Sequence, residues 1–223
     1  MKRYLFVLLL VLSIGLMIAV ESDPSATVGY VKYPSVAGLN FAAMPMDDGM
    51  ISVSQVGAYM GPLDEIDTIN LWDSGGQFWN GCVNFGGGFW LPDETVGPGS
   101  VLYYSSSYAF DYYSIGAMPA ANAQYNIVPG LNTVMLPLNK SALNFVSLVG
   151  SDIGPLDEID TINLWNNTGQ FWDGCVNFGG GFWLPDPEIT IGTPMYISSA
   201  ATITWPADPR GTTRSIAPTT SKK

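Results

Sequence analysis

The sequence predicts a mainly β protein built from two tandem homologous modules, each a small β-sandwich or barrel-like unit with one short helix. Residues 61–93 (GPLDEIDTINLWDSGGQFWNGCVNFGGGFWLPD) return at 154–186 with 29 of 33 positions identical at a constant offset of 93, the mark of a duplicated folding unit. Glycine (25) and proline (16) interrupt the apolar runs every few residues, as in all-β domains. The runs themselves are short and rich in Val, Ile, Tyr, Phe and Trp, which suits strands better than helices.

The elements follow in order. Met1-Lys2-Arg3 precedes an uncharged apolar stretch from Tyr4 to Val20, so residues 1–22 read as a signal peptide. This implies a secreted or cell-surface protein with no stable membrane span after cleavage. An uncleaved anchor is the competing reading, because 17 apolar residues reach the short end of a membrane span. The first module is expected over 26–118 and the second over 119–207, with Met118-Pro119-Ala120 opening the junction. Residues 208–223 are polar and Thr-rich, and are expected to form a flexible tail.

Within the modules, Phe41 to Met44 and Thr133 to Leu136 read as buried strands ended by Pro. Val101 to Tyr104, Pro194 to Ile197, Tyr108 to Ile115 and Ala201 to Trp205 supply further strands. Ser52-Val53-Ser54-Gln55 has the form of a capping box, predicting a helix with Val53, Val56 and Tyr59 or Met60 facing inward. Its counterpart has Asn144 as cap and Phe145, Leu148, Val149 and Ile153 inward. Three of the four differences between the repeats fall together, Asp73-Ser74-Gly75 against Asn166-Asn167-Thr168, and the fourth exchanges Asn80 for Asp173. A variable polar segment between aromatic runs predicts an exposed hairpin turn, with Gly76 and Gly169 available for positive φ.

Composition excludes several chemistries. The chain has no histidine, which removes Ser-His-Asp and Cys-His machinery and HExxH zinc sites. Between Tyr33 and Pro209 a single lysine faces 17 carboxylates, a balance of −16. Such a region repels nucleic acid and anionic membranes. Glycans, cations, basic surfaces or other copies of the chain remain as partners. Cys82 and Cys175 occupy equivalent positions. They would bridge each other only if the modules packed about a pseudo-twofold axis that brought them together; otherwise they are two buried thiols or pair between molecules.

The densest cluster is aromatic: Trp72, Phe78, Trp79, Phe85, Phe89 and Trp90, repeated as Trp165, Phe171, Trp172, Phe178, Phe182 and Trp183. Two readings stand. Trp72, Trp79, Trp90, Trp165, Trp172 and Trp183 could stack on sugar rings as a ligand-binding platform, or most of the rings could form the core. Phe78 and Trp79, as neighbours on a strand, must face opposite sides. Gly86-Gly87-Gly88 lacks the lysine and helix of a phosphate cradle and reads as a bend. Asp64, Glu65 and Asp67, with Asp157, Glu158 and Asp160, are the candidate metal ligands. Such a cluster could supply several of the six to eight oxygen ligands of calcium, but it lacks the spaced Asp/Asn pattern of a calcium loop, and a solvated turn is the competing reading.

The series Gly38-Leu39-Asn40 to Pro45, Leu71-Trp72-Asp73 to Trp79, and Gly88-Phe89-Trp90 recurs from Gly130 to Trp183. It resembles a small β-module, with a Gly-Trp-Asn, strand-Pro, Trp-hairpin and Gly-aromatic-Trp pattern, found in tandem in secreted and cell-surface proteins of bacteria and archaea. Leu39 and Leu131 stand where that pattern has Trp, and the cysteines are not part of it. The resemblance implies an accessory or structural role and transfers no catalytic residue. The expectation is an exported, non-enzymatic surface, matrix or adhesion protein that binds glycan or self-associates. A secreted carbohydrate-active enzyme using Asp and Glu, or a filament subunit, is the alternative.

Overall fold

The computed structural model describes residues 28–207 except Leu63; the expected signal peptide and polar tail lie outside them. The first module comprises β1 (Val28–Ser35), β2 (Gly38–Ala43), α1 (Val53–Met60), β3 (Ile66–Asp73), β4 (Phe78–Asn84), β5 (Trp90–Leu91), β6 (Val101–Ser106) and β7 (Phe110–Ala117). The second repeats the series as β8 (Tyr125–Ile127), β9 (Gly130–Met135), α2 (Val146–Ile153), β10 (Ile159–Asn166), β11 (Phe171–Asn177), β12 (Trp183–Leu184), β13 (Pro194–Ser199) and β14 (Ile203–Trp205). Each module has a five-stranded antiparallel sheet, β2-β6-β3-β4-β5 or β9-β13-β10-β11-β12. A two-stranded ribbon, β1-β7 or β8-β14, completes it. The architecture is therefore mainly β, two sandwich-like modules in tandem.

Strand register sorts the side chains. Ile69 pairs with Cys82 and Tyr104, Ala42 with Leu102, and Asn84 with Trp90. Cross-strand partners share a face, and this inner face packs on Val53, Val56 and Met60 of α1 and on Tyr112 of β7. In the second module Ile162, Cys175, Trp183 and Ile197 meet Val146, Val149 and Ile153 of α2 in the same way, with Trp205 in the place of Tyr112.

The face of α1 follows the expected stripe: Val53, Val56 and Met60 are buried, and of the two residues offered for its last position Tyr59 is the exposed one. Gly57 joins the buried set. In α2 the N-cap position is Phe145 rather than Asn144, and Val146, Val149, Gly150 and Ile153 are buried while Phe145 and Leu148 are exposed. Gly57 and Gly150 belong to the buried faces because the rings of Trp90 and its copy Trp183 lie against them, where any Cβ would collide. A glycine in a helix interior costs about 0.5–1 kcal/mol relative to alanine; here it admits a tryptophan to the core.

The caps also come from afar. Ser52 sits at the N-cap of α1 but makes no side-chain capping bond. Asp93 accepts from the backbone N–H of Ser54 at 2.8 Å and from its hydroxyl at 2.8 Å. Asp186 does the same for Ser147 at 2.8 and 2.7 Å. Gln55 reaches back, to the N–H of Ile51. A carboxylate at this end of a helix also complements its dipole.

Candidate functional site

The outer faces of the two large sheets meet. Phe41 pairs across strands with Tyr103, Asn70 with Tyr103 and Gly81, and Trp72 with Trp79, so these residues share the face opposite the helix. On the second module the face carries Thr133, Tyr196, Trp165 and Trp172. The rings of Trp79 and Trp172 each lie 5.2 to 5.9 Å from both Tyr103 and Tyr196, forming a four-ring box. Trp72 packs edge-on against Tyr196 at 5.0 Å and Trp165 against Tyr103 at 5.3 Å. Edge-to-face pairs of this kind contribute about 0.5–1.5 kcal/mol each beyond area burial. Burial raises the Tyr103 hydroxyl above its ordinary pKa and pushes Tyr196 up to about 12.

Reciprocal hydrogen bonds lock the contact. Gln77 accepts from the N–H of Leu131 at 2.7 Å and donates to its carbonyl at 2.9 Å. Gln170 makes the same pair with Leu39, at 2.7 and 2.8 Å. The indole N–H groups of Trp72 and Trp165 reach the same carbonyls of Leu131 and Leu39. Tyr33 donates to the carbonyl of Gly192 and Tyr125 to that of Gly99. Residue i of one module touches j of the other and the reverse, as across a twofold interface.

The hairpin turn is thus not a free one. Positive φ falls on Gln77 (58°) and Gln170 (56°), not on Gly76 and Gly169, which instead lie against the rings of Phe78 and Phe171. The left-handed backbone aims each glutamine across the interface. Gly38 and Gly130 receive them at φ 109° and 104°, and a Cβ on either would sit 2.7 or 2.5 Å from the glutamine oxygen.

The six tryptophans offered as a sugar platform have two fates. Trp90 and Trp183 are 4% exposed and belong to the module cores, which leaves them no face for a ligand. Trp72, Trp79, Trp165 and Trp172 are partly buried in the inter-module box. Their rings do not form an exposed platform.

The exposed aromatics are others. Val83 pairs with Leu91 on the outer face, and the ladder continues through the Phe85 N–H to the Phe89 carbonyl at 2.8 Å. The Phe85 and Phe89 rings lie 6.0 Å apart. Phe85, Phe89 and Leu91 are 64%, 60% and 58% exposed, and Phe178, Phe182 and Leu184 are 64%, 61% and 59% exposed. Val83 and Val176 complete the two quartets. Clustering such as this is unusual on a monomer, where single exposed apolar residues are ordinary. Alternation along the strand carried the signal, since Val83 and Phe85 bracket Asn84, whose partner Trp90 is core.

The acidic stretches hold loops. Asp64 accepts from the N–H groups of Gly87 (2.7 Å) and Gly88 (3.3 Å) and from the Asn84 amide. Asp157 does so with Gly180, Gly181 and Asn177. These donors hold both carboxyls below their ordinary pKa, the Gly87 and Gly180 N–H groups having the largest effect. Asp67 and Asp160 accept from Ser105 and Ser198. Glu158 accepts from the N–H of Leu156, and the Glu65 carbonyl from the N–H of Ser107. Among the described residues, these carboxylates do not converge with others into a group able to hold a metal ion.

Cys82 and Cys175 are free thiols, each fully buried on the inner face of its own sheet. The pseudo-twofold contact joins the outer faces, so it does not bring the sulfurs together. Burial raises both thiols and puts Cys175 at about 11, far from the thiolate that nucleophilic chemistry requires.

Comparison with protein-family models, curated proteins and solved structures gave no match. Among the described residues no helix is long and apolar enough to cross a membrane.

Proposed function

We propose that this protein is an exported, non-enzymatic surface or matrix component that associates with further copies of itself through two equivalent apolar patches. The observation that carries the reading is the Val83, Phe85, Phe89, Leu91 quartet and its repetition as Val176, Phe178, Phe182, Leu184, with matching exposure in both modules. Each quartet continues the sheet face that already mediates the contact between modules inside the chain. A quartet meeting its equivalent on another copy gives a self-complementary contact, and two per chain give open chains of molecules. That outcome unites the matrix and filament readings.

Two further points support it. The carboxylates of Asp64 and Asp157 are shifted toward the ionised form, the reverse of what a general acid in glycoside hydrolysis needs. The acidity of the chain, −11 overall, opposes association at low salt and is screened as salt rises. Sedimentation velocity over a concentration series tests the reading. Mass should grow with concentration and with ionic strength, and the Phe85→Ser, Phe89→Ser, Phe178→Ser, Phe182→Ser variant should remain monomeric throughout. A wild-type chain that stays monomeric at every concentration and salt would overturn it.

A further inference from the structure

The pseudo-twofold interface is broken at one end. A cleft of about 320 Å³ opens there, lined by Trp72 and Ser74 of the first module and by Gln124, Tyr125, Asn126 and Thr133 of the second. Its pseudo-symmetric mate is built from Trp165, Asn167, Lys32, Tyr33, Pro34 and Phe41. The mate is closed by two contacts. The Asn167 amide donates to the Pro34 carbonyl at 2.6 Å, bridging the modules, and the Phe41 ring packs on Trp172 at 5.0 Å. Where Phe41 fills space Thr133 does not, and where Asn167 spans the gap Ser74 is too short. Pro34 and Lys32 stand in place of the neutral amides Asn126 and Gln124.

We infer that this cleft is a single binding site for a neutral saccharide. No charged side chain lines it, so a charged ligand would lose its hydration without gaining an ion partner. The polar lining is partly occupied: Tyr125 donates to the Gly99 carbonyl and Gln124 to that of Pro206. Thr204 donates to the amide oxygen of Asn126 at 3.4 Å, and Ser74 and Thr133 add hydroxyl-bearing side chains to the lining. Hydroxyl and amide groups gathered in one small space match the several hydroxyls of a sugar ring, and Trp72, partly buried in the aromatic box, lines one side of it. The volume lies at the small end of ligand sites, which suits one or two sugar rings. Trp72 is held in place by its bond to the Leu131 carbonyl at 2.9 Å, so the indole side of the site is formed before a ligand arrives. The inference does not depend on the apolar quartets.

The second module supplies the substitutions that test it, because each closes the mate already. The full chain would be titrated with glucose, galactose, mannose, N-acetylglucosamine, cellobiose and lactose into the millimolar range, followed by amide NMR shifts and tryptophan fluorescence. At least one sugar should saturate at one site per chain, shifting the amides of Ser74, Asn126 and Thr133. Ser74→Asn and Thr133→Phe should each weaken binding about tenfold or more, with the melting temperature unchanged for Ser74→Asn. Should Thr133→Phe fail to fold, Ser74→Asn decides alone, since the equivalent turn carries Asn167. No saturable response to any of these sugars would overturn the inference. So would two equivalent sites per chain, or unchanged affinity in the folded variants.

Discussion

At the scale of single residues, the repeated acidic stretch is a fastener. Asp64 and Asp157 each gather two glycine N–H groups and an asparagine amide, which closes the loop that presents Phe85 with Phe89 or Phe178 with Phe182. Because the folded carboxyl is held below its ordinary pKa, the closure is fully present above the unfolded carboxylate value. It is lost as pH falls through the lower, folded value. The amide shifts of Gly87 and Gly180 should therefore titrate with midpoints below about 3.9, the value of a free aspartate, and exchange with solvent should quicken below them. Asp64→Asn should speed exchange at Gly87 at neutral pH and leave Gly180 untouched. Midpoints at or above the free value would contradict this role.

At the scale of elements, Gly57 against Trp90 and Gly150 against Trp183 set how each helix sits on its sheet. Gly57→Ala improves intrinsic helix propensity by about 0.8–1 kcal/mol but drives a methyl group into the indole, an overpacking that costs roughly 1–3 kcal/mol. The net prediction is a loss of stability, read as a lowered denaturant midpoint, although an exposed helix would gain from the same change. Gly57→Ala that raised the midpoint would remove the argument. This contact also explains what the sequence could and could not convey. Helix positions, strands ended by proline and the β class were all readable from local pattern. The helix faces were readable in part: Val53, Val56, Met60, Val149 and Ile153 follow the period, but the place of Gly57 and Gly150 was not, because the ring that replaces a side chain at each comes from 33 residues away. β1 and β8 were missed for a related reason: their ladders are completed by β7 and β14, some 80 residues later in the chain. Period-two alternation separated Phe78 from Trp79, but it could not say that the face opposite the core would be covered at one end by the second module. The sorting of the tryptophans into core and interface, and of Phe85 and Phe89 into neither, depends on that long-range fact.

At the scale of the whole molecule, duplication has produced a protein that meets itself. The reciprocal bonds of Gln77 with Leu131 and Gln170 with Leu39 join outer faces across a pseudo-dyad, and the aromatic box fills the space between. Beyond that contact each outer face carries one exposed quartet, and on the proposed reading two equivalent contacts per chain would define how the molecule grows. The most direct measurement is sedimentation velocity on Phe85→Ser, Phe89→Ser, which removes one quartet and keeps the other. It should stop at dimers at all concentrations while the wild-type chain continues to larger assemblies. Assembly of this variant beyond the dimer, or its failure to associate at all while the wild type does, would contradict two equivalent and independent contacts.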